Sequence, residues 1–437
     1  MLYRTLSAPI SVQIELTTKC SNNCPHCYNY QRQDEDPDTT MSTEELRTTL
    51  EALEKANVFS VTITGGEPLL RPDLVVEAVG LCKKEGIVCS LNSNLTVLTE
   101  KTAARMKEAG PFKVLTSIAS YDESVHDTMM GRRGAFGRTL RGIELLKKQG
   151  VWIGANMVIT QQNANQVYET GLFAHKLGVR MFSATKASPP LGCPDYSAIQ
   201  PTHDQVRYSL DELLRVRDAT GLSVDALEPY PLCFLGDIEK YETFAKRRCS
   251  AGVTTATIGA DGQVRPCSHS DRVYGNIFKE DLFTIYSRMS EWRTGELVPE
   301  KCLACKYFGN CSGGCRCEAE YTGDIRGMDP CASSPMDVVP KPKKVVPRLT
   351  LEPESMVSVK PDVKFREEGF GYVLWKMNKV ALVGKEAGKL LLELQATTMT
   401  FEDVVSISGS DNDKVSVVLM ELKRKKMINH ELKAPSG

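Results

Sequence analysis

Six strand-like runs alternate with helical stretches between residues 10 and 184, and few folds accommodate that order. Strands are predicted at 10–17, 58–64, 87–92, 112–119, 151–160 and 179–184. Helices are predicted at 42–56, 71–84, 99–109, 135–149 and 166–177, the first opening on a capping-box pair, Ser42 and Glu45. Strands joined by helices of about 10–15 residues build parallel βαβ units. Six such units make an α/β partial (β/α)6 barrel, expected over residues 1–238. A chain of 437 residues has room for about two further domains. Its 41% hydrophobic and 25% charged residues are those of a soluble globular protein. A formal net charge of −1 argues against a nucleic-acid footprint. With no run of 18 apolar residues and no apolar core near the start, no membrane association is expected and a cytoplasmic location follows. Fifteen cysteines in a reducing compartment then point to metal rather than disulfides.

The first predicted strand runs directly into Cys20, Cys24 and Cys27, a C-x3-C-x2-C array. Loops at strand C-termini are where α/β folds keep cofactors. Three thiolates leave one iron of a four-iron cluster uncovered, and an open position can take a substrate group. A zinc knuckle with a distant fourth ligand, or buried free cysteines, would also fit the trio alone. The acidic run Asp34 to Asp38 that follows reads as a solvated connection. Behind the second strand stands Gly65-Gly66-Glu67-Pro68, where paired glycines allow a ligand close to the backbone, although such turns are more often structural.

In this setting the trio resembles the signature of the radical S-adenosylmethionine (radical SAM) superfamily. The resemblance implies that the amino and carboxylate groups of S-adenosylmethionine (SAM) chelate the open iron of a [4Fe–4S] cluster. Reductive cleavage of SAM then yields a 5′-deoxyadenosyl radical that abstracts hydrogen from a substrate. It further implies SAM contacts at Gly65, Gly66 and Glu67, at Ser93 and Asn94 after the third strand, at Ser117 on the fourth and at Asn156 on the fifth. His26 occupies the place of an aromatic that meets the adenine, where an imidazole is a departure. Val125-His126-Asp127 also matches the family pattern, with His126 read as a structural histidine.

Residues 249–331 hold eight more cysteines: Cys249, Cys267, Cys302, Cys305, Cys311, Cys315, Cys317 and Cys331. Gly262 precedes Cys267 in a G-x4-C spacing. Eight thiolates close two sites of four, and spacing alone allows zinc as well as iron–sulfur. Beside the N-terminal trio, the array resembles the SPASM extension of radical SAM enzymes that modify peptides and proteins, assigned to residues 239–334. The extra Cys317 is similar to a Cys-x-Cys in the radical enzyme of pyrroloquinoline quinone biosynthesis. This implies two auxiliary iron–sulfur clusters, either [4Fe–4S] or, for the first, [2Fe–2S]. Cys249, Cys267, Cys315 and Cys317 would hold the first, and Cys302, Cys305, Cys311 and Cys331 the second. Four cysteines are left over: Cys82 and Cys89 beside the second helix and third strand, Cys193 in a Pro-rich loop, and Cys233.

Residues 335–354 contain prolines and lysines without period and read as a linker. Strands at 363–366, 371–375 and 379–383 and helices at 386–395, 401–405 and 414–426 suggest a small winged-helix-like α+β domain at 355–437. It resembles the leader-recognition element of ribosomal peptide pathways, mainly through residues 361–372. A DNA-binding winged helix is the alternative suggested by Lys423, Arg424, Lys425 and Lys426, although a solvated helix face explains them equally well. These expectations combine into a radical SAM maturase of a ribosomal precursor peptide, held through its leader and driven by an electron donor such as flavodoxin or ferredoxin. The expected outcome is a crosslink, cleavage or epimerisation, and no catalytic base stands out. Action on a protein, as in sulfatase maturation, or on a haem precursor is the alternative enzyme reading. A zinc-ribbon regulator is the non-enzymatic one.

Overall fold

Ser11–Glu15 (β1) lies between two parallel neighbours, Ser60–Thr64 (β2) and Thr255–Ile258 (β8). In this computed structural model the described residues are 4–29, 39–190, 193, 195–334, 338–339, 351–377 and 379–431. The acidic run 34–38, part of the Pro-rich loop and most of the 335–354 linker lie outside them. The chain divides into two compact units, Met1–Pro342 and Lys343–Gly437.

In the first unit β1 is followed by α1 (Thr43–Lys55), β2, α2 (Pro72–Lys84), β3 (Val88–Asn92), α3 (Glu100–Ala109) and β4 (Phe112–Ser117). Then come α4 (Glu123–Met130), α5 (Ala135–Lys148), β5 (Trp152–Ile159), α6 (Val167–Leu177), β6 (Met181–Lys186), α7 (His203–Thr220) and β7 (Ser223–Asp225). β1 to β7 pair in chain order, all parallel. Apolar strand residues such as Val12, Ile14, Val61, Ile63 and Phe182 are buried. Helix starts follow local chemistry. Ser42 and Glu45 close the expected capping box of α1, and Thr202 and Gln205 close one at α7.

Three features depart from the sequence reading. The sheet has ten strands, because β8, β9 (Gln263–Arg265) and β10 (Gly275–Asn276) add to the free edge of β1. The cysteine-rich region is thus built partly onto the barrel sheet. The short helix α4 and the long α7 were not anticipated; α4 spans only two turns, below what a periodic pattern reveals. The sixth strand is Met181–Lys186 rather than 179–184, because pairing with β5 begins at Gly154 opposite Met181, after the left-handed cap of α6 at Gly178.

The second unit has β11 (Met356–Val359), β12 (Lys364–Glu368), β13 (Gly371–Lys376), β14 (Lys379–Gly384), α8 (Lys385–Ala396), β15 (Met399–Thr400), α9 (Phe401–Ser408), α10 (Asn412–Arg424) and β16 (Ile428–Glu431). All three predicted strands and all three predicted helices are present. A second antiparallel sheet, β15-β11-β16, was missed because its strands are only two to four residues long. Val357, Leu374, Leu391, Leu394, Phe401 and Leu419 form part of the core of this unit. In the sheet β12-β13-β14, the strand β14 is an edge.

Candidate active site and cysteine centres

The loop after β1 carries Cys20, Cys24 and Cys27, all partly buried and free of disulfides. Two neighbouring strand ends and a helix hold this loop. After β2, Gly66 donates its N–H to Thr17 O at 2.7 Å, and Glu67 donates to Lys19 O at 2.7 Å. A Cβ on Gly66 would run into the Lys19 carbonyl, and Gly65 has a left-handed φ of +126°. The paired glycines are therefore required by the chain's own cysteine loop, which approaches as closely as the sequence reading allowed a ligand to.

The Glu67 side chain is fully buried and accepts from Leu69 N–H (2.9 Å), Ser93 Oγ–H (2.7 Å) and Asn94 N–H (2.8 Å). Burial raises its pKa to about 7, against the opposing effect of these donors. Asn94 in turn reaches Ser21 Oγ at 3.0 Å and Cys20 Sγ at 3.9 Å through Nδ2. A third support comes from α4. Asn23 N–H donates to Met130 O at 3.0 Å, Cys24 Sγ lies 3.7 Å from the same oxygen, and Arg132 donates to Ser21 O. His126 in this helix is fully buried, accepts from Ala119 N–H at 3.2 Å and is kept neutral by burial, with a pKa of about 4, which is a structural role. His26 is buried within the cysteine loop.

Ser117, at the end of β4, is paired in register with Asn156 on β5, which is paired with Ser183 on β6. Asn156 Oδ1 accepts from Ser183 Oγ at 2.8 Å and Thr185 Oγ1 at 2.9 Å. A polar row thus crosses three strands of the sheet. At the end of β6, Lys186 Nζ lies 2.6 Å from Glu318 and 3.4 Å from Glu228, all three buried. Tyr230 donates to Glu228 at 2.5 Å and Ser188 to Glu318. Burial works against the Lys186 charge, but the two carboxylates hold it on the ammonium. Burial raises Glu228 to about 7 despite Lys186. This cluster was missed from sequence. Its one local sign is a lysine closing an apolar strand.

The second cysteine region is tied to the first. Arg265 on β9 makes a buried ion pair with Glu15 on β1. His269 meets Tyr28, the neighbour of Cys27, edge-on at 4.1 Å between ring centroids. Gly262 has a left-handed φ of +80° in the turn between β8 and β9 that delivers Cys267. Cys267 Sγ is 3.5 Å from Cys317 Sγ, Cys317 also faces Cys315, and Cys249 faces Cys315 and Cys267. Burial pushes the Cys249 thiol up to about 12. Both Cys315 and Cys331 donate their amide N–H to Asp329, at 2.7 and 2.8 Å. Cys302, Cys305 and Cys311 line a cavity of about 70 Å³ together with Cys233. Cys331 is buried, and its thiol is pushed up to about 12, chiefly by burial, with the Lys186 charge opposing and nearby carboxylates adding to the rise. Among the described residues no three His, Cys, Asp or Glu side chains gather closely enough for a single metal ion. The soft, all-thiolate donor sets suit iron–sulfur clusters.

These arrangements define a class. The radical SAM superfamily profile matches residues 14–174, and the SPASM iron–sulfur cluster-binding domain profile matches residues 249–306. The chain thus carries a radical SAM domain followed by a SPASM domain. It is similar to PqqA peptide cyclase of Gluconobacter oxydans, at 27% identity over 75% of this chain and 92% of that protein. It is also similar to AdoMet-dependent heme synthase of Nitratidesulfovibrio vulgaris, at 25% identity over 76% of this chain and 93% of that one. Among solved structures, SuiB of Streptococcus suis bound to S-adenosylmethionine shares the fold, with a TM-score of 0.61 at 20% identity over 75% of this chain and 78% of that one.

Proposed function

We propose that this protein is a maturase that modifies a ribosomally synthesised precursor peptide by radical chemistry in the cytoplasm. The observation that carries this reading is the second compact unit, whose sheet β12-β13-β14 ends at the edge strand β14. An extended leader peptide would add to that edge through main-chain hydrogen bonds, with side-chain pockets giving specificity. Similarity along three quarters of the chain to a peptide cyclase supports the same substrate class.

Cys20, Cys24 and Cys27 would hold a [4Fe–4S] cluster with one open iron. SAM bound there would supply, on reduction by a flavodoxin- or ferredoxin-like donor, the 5′-deoxyadenosyl radical that abstracts hydrogen. Gly65, Gly66, Glu67, Ser93 and Asn94 fix the loop that carries these ligands, and with His26, Ser117 and Asn156 they form the polar surface offered to SAM. Cys249, Cys267, Cys315 and Cys317 would hold the first auxiliary cluster. The second array would hold another, giving two auxiliary clusters. Lys186, Glu228, Glu318 and Tyr230 keep a charged, water-poor wall at the end of β6, where a proton can be held on Glu228 near neutral pH. The outcome on the peptide would be a crosslink, a cleavage or an epimerisation. Neither nucleic acid nor membrane enters this reading. No described helix is long and apolar enough to cross a membrane.

A haem precursor is the second reading, favoured by the similarity to AdoMet-dependent heme synthase over a comparable span. One experiment separates them. The anaerobically reconstituted full chain is incubated with SAM and reductant plus either the small peptides or the porphyrin fraction of the source cell. A mass change in one peptide, accompanied by 5′-deoxyadenosine and lost on truncation after Pro342, is expected. Deoxyadenosine formation stimulated by porphyrin alone would overturn the peptide reading.

A further inference from the structure

Between α4 and α5 the chain turns through Gly131-Arg132-Arg133-Gly134, and α5 continues with Arg138 and Arg141. No Asp or Glu stands between residues 128 and 143, so four cations gather in a chain whose net charge is −1. Arg132, Arg133 and Arg141 are exposed, and among the described residues none of the four arginines makes an ion pair. The nearest acid along the chain, Asp127, is engaged elsewhere. Its carboxylate accepts from Gly134 N–H and, at 2.8 Å, from Phe136 N–H. There the N-terminus of α5 offsets part of its charge. Asp122 and Glu123 lie at the far end of α4.

This turn is held against the cysteine loop. Met130 O accepts from Asn23 N–H at 3.0 Å, Arg132 donates to Ser21 O, and a Cβ on Gly131 would run into the Asn23 carbonyl. Asn23 and Pro25, the two neighbours of Cys24, are exposed, and Cys24 itself is only partly buried. Solvent and the arginines therefore reach the N-terminal cysteines over the same short stretch of chain.

We propose that this arginine-rich turn is the docking surface for the electron donor, a small acidic protein that carries one electron. A basic patch beside a redox centre steers an acidic partner and sets its orientation, and transient electron-transfer complexes form over small interfaces. One electron leaves the donor, which is oxidised, and reduces by one the cluster held by Cys20, Cys24 and Cys27. No proton or group is transferred between the two proteins. This docking surface deepens the reading given above and rests on the N-terminal cluster and the donor proposed there.

The test uses the full chain, anaerobically reconstituted, and a bacterial flavodoxin. Binding of oxidised flavodoxin is measured by calorimetry at low and at raised salt. Formation of 5′-deoxyadenosine is measured with reduced flavodoxin and, separately, with dithionite. The combined changes Arg133→Glu and Arg141→Glu are expected to weaken flavodoxin binding at least about tenfold at low salt, and the difference should shrink as salt screens it. The KM for reduced flavodoxin should rise in step, while iron content and the dithionite-driven rate stay at the wild-type level. Equal affinity in the variant, or no binding by wild type, would overturn the proposal. So would loss of binding in Lys301→Glu with Lys306→Glu instead, two exposed lysines beside Cys302 and Cys305, because the donor would then sit at the second cysteine region. Should the double variant lose its iron, Arg133→Gln decides, with binding expected to weaken about threefold and unchanged binding refuting the surface. A wild type that makes no deoxyadenosine with dithionite would sink the radical reading itself, and the docking surface with it.

Discussion

Replacing Gly66 by Ala tests whether the paired glycines serve the cysteine loop. A Cβ there would stand 2.7 Å from Thr18 O and closer still to the Lys19 carbonyl. Carbon and oxygen normally keep about 3.3 Å apart, so the loop must retreat by at least ~0.6 Å, since backbone cannot swing aside like a flexible side chain. That retreat strains two hydrogen bonds, Gly66 N–H to Thr17 O and Glu67 N–H to Lys19 O. Each is worth about 1 kcal/mol, and overpacking adds roughly 1–3 kcal/mol. The expected loss is therefore about 3–5 kcal/mol, concentrated at the loop that positions Cys20. Gly80→Ala, within α2 and with nothing within 4 Å of the added methyl, is the control and should stabilise by about 0.5–1 kcal/mol. Both variants are reconstituted anaerobically, assayed for iron, and unfolded in urea. Gly66→Ala should lose about four irons per chain, those of the N-terminal cluster, and keep the remainder. If Gly66→Ala binds full iron and unfolds at the wild-type midpoint, the glycines are not there to admit the loop.

Three further outcomes follow from other contacts. Glu67 is raised from 4.5 to about 7 by burial, so the folded chain keeps a proton that the unfolded chain releases. Its contribution is complete below about pH 4.5 and is lost as pH rises through 7; urea unfolding at pH 5 and 8 should show wild type losing on the order of 3 kcal/mol relative to Glu67→Gln, and parallel profiles would refute this. Arg265→Met strands the buried Glu15 carboxylate and should cost about 3–5 kcal/mol, whereas adding Glu15→Leu should restore most of it, as a double-mutant cycle in urea would show. Leu382, 40% exposed on the edge strand β14, should matter to peptide capture. Leu382→Glu is expected to weaken binding of the precursor at least about fivefold by calorimetry while basal SAM cleavage is unchanged, and equal affinity would move the docking site elsewhere.

Local chemistry was legible. Ser42 and Glu45 announced α1, and strand composition announced β1 to β6. What was not legible depends on contacts between distant residues. The Glu67 carboxylate meets Ser93 and Asn94 only because β2 and β3 are neighbours. Lys186 and Glu318 are separated by more than a hundred residues, and neither has a periodic or motif signal of its own. Likewise β8 is four residues long, and its place beside β1 is set by pairing across some 240 residues. The same limit applies to Cys233, which lies outside the spacing pattern yet shares a cavity with three cysteines that obey it.

The two units of the cysteine chemistry differ in what holds them. The N-terminal trio sits on a loop fixed from three sides by parallel strands and α4, through Gly66, Asn94 and Met130. These supports are hydrogen bonds of the barrel and need no metal. The later cysteines come from short helices and turns, with Cys249, Cys267, Cys315 and Cys317 contributed by three separate segments. The protein contacts tying them to the barrel include the pairing of β8 with β1, the Arg265–Glu15 pair, Tyr28 against His269, and Lys186 with Glu318. A cluster binding four such thiolates closes long loops, and its binding free energy then becomes folding free energy for this region. Burial raises Cys249 to about 12 and Cys302 to about 11, so loading metal must displace protons that the protein otherwise holds tightly. Chelation should therefore loosen residues 249–331 first and leave the parallel strands protected. The barrel can form its cysteine loop in advance of any iron, whereas the auxiliary region would be completed by the metal proposed for it.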